Sequence, residues 1–191
     1  MMDAQTLARC TGATLENAWV YAQPLTAAME RFQINTPRRQ AAFLATVAIE
    51  SQNLTKVEEG LYYKDAARLA RIYPRAFKNA ADAEHFARNP EALGKLLYQG
   101  YWGRGLIQLT WLDNYRKATS ALGFDYVNQP SLVLEPQHAA LTAGWFWDQA
   151  NCNAPADAGD MRGVTLRVNG KALMHLAERT EQYLKNVAVL S

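Results

Sequence analysis

The stretch from Ala41 to Ile49 is apolar at every position except Thr46, and it ends in Glu50. Thr36-Pro37 precedes it, an N-cap residue followed by proline at the first helical position, so a helix is expected from Thr36 to about Gln52. A helix that is apolar on every side cannot lie on a surface; it has to be the buried centre of a domain. The rest of the chain must therefore supply elements that wrap it. At 191 residues, with 49% hydrophobic and 20% charged residues, the chain is long and apolar enough to do so as one globular domain.

The remaining pattern is helical too. Ala and Leu are abundant and alternating β-branched runs are nearly absent. Helices are expected at Thr14 to Phe32, with a break or kink at Pro24, after Asp65 up to Pro74, at Asp82 to Arg88, at Pro90 to Tyr98, at Trp111 to Leu122 (stopped by Gly123), at Pro136 to Gln149 and at Leu173 to Leu190. Only Val57 to Tyr63 can hold a small hairpin.

Twenty Lys and Arg against 18 Asp and Glu give a net charge of +2, which is not the footprint of a nucleic-acid binder. Cys10 and Cys152 form no CxxC pair and read as idle thiols. His85, His138 and His175 are isolated, so neither a metal site nor a cofactor is expected. Met1 to Arg9 contains no basic stretch followed by an apolar run, and no 18-residue apolar window occurs. A Sec signal peptide and membrane insertion are accordingly not expected.

Glu50 shares a helix face with Phe43, Thr46 and Val47. A carboxyl group at the edge of such a surface loses hydration, which favours its neutral form and makes it a candidate proton donor. Glu58 and Glu59 follow within nine residues, and if the chain turns after the helix one of them can face back. An acid and a base flanking one bond is the arrangement of glycoside hydrolysis, with roughly 6.5–9.5 Å between the carboxyls when the reaction inverts. Composition and spacing do not choose between Glu58 and Glu59.

The segment from Gly100 to Thr110, Gly-Tyr-Trp-Gly-Arg-Gly-Leu-Ile-Gln-Leu-Thr, has three glycines in six residues, which permits tight turns and close approach of backbone to a ligand. It lacks the Gly-Lys-Ser/Thr of a Walker loop. Arg104 can neutralise a carboxylate, and Gln108 and Thr110 can orient a water or a sugar. Ten of the 20 aromatic residues lie between Tyr98 and Trp147. Tyr101, Trp102, Trp111 and Tyr115 flank the glycine segment and suit stacking on sugar rings, whereas Trp145, Phe146 and Trp147 sit in an apolar helix and read as core.

Four motifs occur in order: Ala45-Thr-Val-Ala-Ile-Glu-Ser51, Val57-Glu-Glu-Gly-Leu-Tyr-Tyr63, Tyr101-Trp-Gly-Arg-Gly-Leu-Ile-Gln-Leu-Thr110 with Asn114-Tyr115, and Val164-Thr-Leu-Arg-Val-Asn-Gly170. Together they resemble the family-19 glycoside hydrolases, and most closely the bacteriophage endolysins of that chitinase-like family, over about residues 37 to 185. The resemblance implies a mainly α, lysozyme-like fold of two lobes around a substrate cleft. It implies one catalytic domain over residues 1–191, in which an N-terminal helical segment (1–35) packs on a hydrolase core (36–190). Glu50 becomes the general acid and Glu59, rather than Glu58, the general base. Thr110 helps hold the attacking water, and Arg104, Gln108, Tyr101, Trp102, Asn114 and Asn169 line the cleft.

The implied partner is the glycan strand of peptidoglycan, cut at β-1,4 bonds by a monomer. The enzyme would be held in the host cytoplasm until lysis and would then act in the periplasm and cell wall. Chitinase action on poly-N-acetylglucosamine, lytic transglycosylase action (which would make Glu59 dispensable) and a non-catalytic glycan-binding role remain open at this stage. The chain also departs from the family pattern. Ile49 stands where His is usual, Gln52-Asn53 replaces a Gly pair, Gly60 replaces Asn, and the loop before Tyr101 is almost absent.

Overall fold

The computed structural model describes the whole chain, Met1–Ser191, and is built from helices joined by short irregular segments. Val57 to Tyr63 forms no strand, only an isolated bridge at Glu58. No helix is long and apolar enough to cross a membrane. The chain divides into two compact units, Met1–Val57 with Arg104–Gln108 and Ser131–Ser191, and Glu58–Gly103 with Leu109–Pro130.

The first unit is organised around α3 (Pro37–Glu50), which starts at the expected cap: the Thr36 hydroxyl accepts from the Arg39 N–H. All eight residues from Ala41 to Ala48 are buried, as an all-apolar helix requires. Around it lie α1 (Ala4–Thr11), α2 (Leu15–Arg31), α8 (Pro136–Gln149), α9 (Asn153–Asp157), α10 (Met161–Asn169) and α11 (Leu176–Leu190). The N-terminal residues share this core, where Leu7, Leu25, Ile34, Phe43 and Trp147 are fully buried. Each such side chain contributes about 2 kcal/mol of burial. Phe43 meets Trp147 edge-on, with ring centroids 5.4 Å apart. Gly144 lets α8 come close to the end of α2, since a Cβ there would sit 2.6 Å from Phe32 Cδ2.

Three local expectations need correction. The helix α2 runs through Pro24 without a break, because the carbonyl that loses its partner belongs to Val20, on an exposed turn. The last helix begins at Leu176, not Leu173, because Leu173 and His175 both adopt left-handed backbone (φ 48° and 58°). Helices α9 and α10 were not anticipated, and α1 only as part of a helical segment over residues 1–35; α1 and α10 are each capped by an aspartate, Asp3 and Asp160.

The second unit holds α4 (Ala66–Ile72), α5 (Ala80–Ala83), α6 (Pro90–Tyr98) and α7 (Leu112–Leu122) around Leu61, Leu69, Phe77, Ala83 and Leu93. Asp65 caps α4 and Gly123 (φ 80°) ends α7, both as expected. The helix expected at Asp82–Arg88 is instead one turn at Ala80–Ala83. Asn79 is its cap, accepting from the Asp82 N–H at 3.0 Å, and Asp82 reaches back to the Lys78 N–H at 3.1 Å. Asp82 therefore closes the reciprocal arm of a cap and does not start a helix.

Across the first unit Arg39 grips Asp157 with two bonds, Nε to Oδ1 at 2.8 Å and Nη2 to Oδ2 at 2.6 Å. The guanidinium lowers the Asp157 carboxyl below its usual value, through the hydrogen bond first. A lowered carboxyl stabilises the fold above the ordinary aspartate range and stops doing so as pH falls through its depressed value. Asp157 is 43% exposed, so the pair contributes only about 0.5 kcal/mol. Asp157→Asn is expected to lower the thermal midpoint slightly at pH 7, with the difference from wild type vanishing in strong acid; calorimetry across pH checks this.

Candidate active site

Glu50 is the last residue of α3 and partly exposed, with 21% of its side chain accessible. Its position follows from the residue after it. The Ser51 Oγ donates to the Val47 carbonyl at 2.6 Å and accepts from the Leu54 N–H at 2.9 Å, while the Ser51 carbonyl accepts from the Lys56 N–H at 2.7 Å. The buried serine thus ends the helix and turns the chain. Gln52, Asn53 and Leu54 then all take positive φ (48°, 60° and 62°), a left-handed run that ordinary side chains adopt only at a cost.

The expectation of a carboxyl facing only apolar surface fails at one point. A guanidinium, that of Arg179 on α11, forms an ion pair with Glu50 through Nη2 and Oε1. Arg179 is buried, and its Nε donates to the Met174 carbonyl at 3.2 Å. Asn169, at the end of α10, brings its Nδ2 to within 3.4 Å of the same Oε1. Both partners therefore hold one oxygen of Glu50. Beside it the Arg179 Nη1 and the Asn169 Oδ1 are buried without a protein partner.

Glu59 is fixed within the second unit. The Tyr98 phenol donates to Oε1 at 2.7 Å and the Gly103 N–H to Oε2 at 3.1 Å, while the Glu59 N–H donates to the Gly103 carbonyl at 2.8 Å. Burial, and then the bond to Glu59, raise the Tyr98 phenol well above its usual value, so it remains a donor at any physiological pH. Glu58 is more exposed and accepts from the Trp102 indole at 2.9 Å. The two neighbouring glutamates thus have different surroundings, a distinction that spacing did not contain.

In the glycine segment, Gly105 (φ 79°) cannot carry a side chain, because a Cβ would lie 2.9 Å from Val133 Cγ1. Its carbonyl accepts from the Gln108 Nε2 at 3.0 Å. Arg104 is 4% exposed. Tyr101 donates to the Val127 carbonyl at 3.1 Å, and Asn114 Nδ2 donates to the Thr110 carbonyl at 2.9 Å. Trp102 packs on Gly94 of α6, and its carbonyl accepts from the Tyr115 phenol at 3.1 Å. Trp145 and Trp147 are buried, as expected of core; Phe146 is half-buried. Both cysteines are buried free thiols, raised by burial to about 11 (Cys10) and about 12 (Cys152), which makes them poor nucleophiles.

The resemblance implies Asn169 as a cleft-lining residue; in the structure its Nδ2 lies within 3.4 Å of Glu50 Oε1. Sequence reasoning missed Arg179, which lies 129 residues from Glu50 in a helix with no local motif. Tyr98 was visible only as a member of the aromatic cluster. Breaking a partly buried pair by removing one member strands the other charge. Arg179→Leu is therefore expected to cost about 2 kcal/mol, and Arg179→Leu with Glu50→Leu substantially less than the sum of the two single changes. A double-mutant cycle by urea denaturation checks this, and additive losses would contradict it.

Residues 25–164 match the glycoside hydrolase family 19 described as Chitinase class I. A glycosyl hydrolase family 19 domain-containing protein of Haemophilus influenzae is 29% identical over 182 residues, covering 84% of each chain. Chitinase 11 of Oryza sativa is 51% identical over 57 residues, but that match spans 29% of this chain and 22% of the plant protein. Chitinase C from Streptomyces griseus has the same fold, with a TM-score of 0.68 at 23% identity over 99% of this chain and 92% of that one. The chain belongs to glycoside hydrolase family 19, the class I chitinase family, and has that family's mainly helical, lysozyme-like fold.

Proposed function

We propose that this chain hydrolyses the β-1,4 bonds of bacterial peptidoglycan by acid/base catalysis with inversion, as a lysozyme-like endolysin. Glu50 is the acid and Glu59 the base. One observation carries the assignment: the two carboxylates are held in opposite ways. Arg179 and Asn169 both fall on Oε1 of Glu50, and neither reaches Oε2. Glu59 accepts a donor on each oxygen, from Tyr98 and Gly103, which fixes the orientation of its carboxylate.

In the reaction, Glu50 gives its proton to the glycosidic oxygen as the bond from that oxygen to the anomeric carbon breaks. A water attacks the same carbon from the opposite face and yields its proton to Glu59. The Thr110 hydroxyl holds that water, and Arg104, Gln108, Tyr101, Trp102, Asn114 and Asn169 contact the sugars. The enzyme waits in the host cytoplasm and reaches the wall at lysis, acting as a monomer. The short, more identical matches to plant chitinases favour chitin oligomers as the second reading.

Mass spectrometry of purified peptidoglycan digested by wild type and by Glu50→Gln tests the proposal. New reducing ends are expected, reduced at least about 100-fold in rate by the substitution. Glu59→Gln is expected to cost far more than Glu58→Gln. Anhydro ends would make the enzyme a transglycosylase, and cleavage of chitin oligomers alone would make it a chitinase; either result rejects the peptidoglycan hydrolase.

A further inference from the structure

The second unit carries an unbalanced run of charge. Between residues 64 and 78 lie Lys64, Arg68, Arg71, Arg75 and Lys78, and the one acid among them is Asp65. All five cations are exposed and none is in an ion pair. Elsewhere in the same unit Arg88 pairs with Glu84 and Lys95 with Glu91 at i,i+4 and Arg116 with Asp113 at i,i+3, while Lys117 is a single unmatched cation. Asp65 forms no ion pair with any of the five; its Oδ1 accepts from the Arg68 backbone N–H at 2.7 Å. A neutral polysaccharide has no use for five unpaired cations, so the run points to an anionic ligand.

Two of the five, Lys64 and Arg68, line a cavity of about 450 Å³ with Gly60, Tyr62, Tyr63 and Asp65. That volume falls in the range of sites for small ligands, roughly 300–1,000 Å³. Tyr62 is 62% exposed and offers a phenol face. The Tyr63 hydroxyl is hydrogen-bonded to that of Tyr73 at 3.1 Å, which fixes the inner wall. The cavity also adjoins the chemistry. Gly60 follows Glu59 directly in the chain, and the Tyr73 phenol, raised mainly by burial and by its bond to Tyr63, also feels the charge of Glu59. A concave site flanked by tyrosines suits a branch of a polymer lying along Glu59, whereas a flat lipid surface would engage the cations without the cavity.

We propose that the cavity lined by Lys64, Arg68, Tyr62 and Tyr63 binds the carboxylate-bearing peptide branch of the glycan substrate, so that it selects peptide-substituted over bare strands. This rests on the peptidoglycan reading above and adds a specificity site to it. Gly60, which lines the cavity next to Glu59 in the chain, faces open space: no atom lies within 4 Å of where its Cβ would be.

The test compares soluble glycan strands that carry their peptides, the same strands stripped by an amidase, and a chitin hexamer. For wild type the ratio of kcat/KM on peptide-bearing to stripped strands is expected to exceed one. In Lys64→Gln/Arg68→Gln that ratio should fall roughly fivefold to tenfold, through KM, as two exposed charge contacts allow. Raising salt to about 0.5 M should lower the wild-type ratio in the same direction. An unchanged ratio overturns the proposal. Failure of the peptidoglycan reading is separable: a wild type that cleaves only the chitin hexamer rejects that reading, and titration of free stem tripeptide followed by amide NMR then judges the cavity alone. Shifts confined to residues 60–68 support it and their absence overturns it. Co-sedimentation with phosphatidylglycerol vesicles that is lost in the double variant, with the ratio unchanged, would assign the cations to a membrane surface and overturn the proposal.

Discussion

The ion pair between Arg179 and Glu50 joins the beginning of the last helix to the end of the central one, and much of the first unit is arranged to make it possible. A buried guanidinium is tolerated when its charge is paired, as it is here, although its Nη1 has no protein partner. One donor goes to the carboxylate and another to the Met174 carbonyl, in the turn that precedes α11. The left-handed residues Leu173 and His175 shape that turn. Further along the same helix, Asn186 donates to the Ala41 carbonyl at 3.0 Å and Gln182 to the Cys10 carbonyl at 2.9 Å. The inner face of α11 is thus Arg179, Tyr183 and Asn186, a polar stripe at helical spacing that ties the site to α3 and α1.

That stripe explains where sequence reading succeeded and where it did not. Apolar periodicity found α3 and α8 because their burial is made by apolar side chains. It found α11 as an amphipathic helix but not its inner face, since the buried residues there are an arginine, a tyrosine and an asparagine, while Leu184 is 61% exposed. Cap chemistry was equally legible where one residue acts alone, as at Thr36, Asp65 and Gly123. It misled at Asp82, where the cap is shared between Asn79 and Asp82 and the helix starts upstream. Left-handed residues such as Gln52, Leu54 and Trp111 gave no signal, because none is the glycine that usually marks such a backbone.

The two glutamates are presented by opposite means. Glu50 ends a helix immobilised by eight consecutive buried residues, so its backbone is set by packing. Glu59 lies in an irregular segment with no helix to hold it, and its place is set by one backbone bond to the Gly103 carbonyl, by the Gly103 N–H on its carboxylate and by the Tyr98 phenol. Glu58 and Glu59 could not be separated by spacing because what separates them arrives from about 40 residues downstream. The glycine segment makes this possible: Gly103 offers both its N–H and its carbonyl to Glu59.

Departures from the family pattern take on a different meaning in this light. Ile49 stands where the family usually has a histidine beside the acid, and on sequence that reads as a lost orienting group. Yet Glu50 is oriented here by Asn169 and Arg179, from α10 and α11, and Ile49 itself is half-buried. Residues 119 and 129 positions away do what an adjacent residue would otherwise do. Long-range partners of this kind constrain a carboxylate more firmly than a neighbour on its own helix, because they are anchored to other elements of the core and cannot follow it if the end of α3 frays. The same anchoring leaves Oε2 of Glu50 clear of protein partners. In the acid role proposed for Glu50, that open oxygen is the one that would exchange a proton.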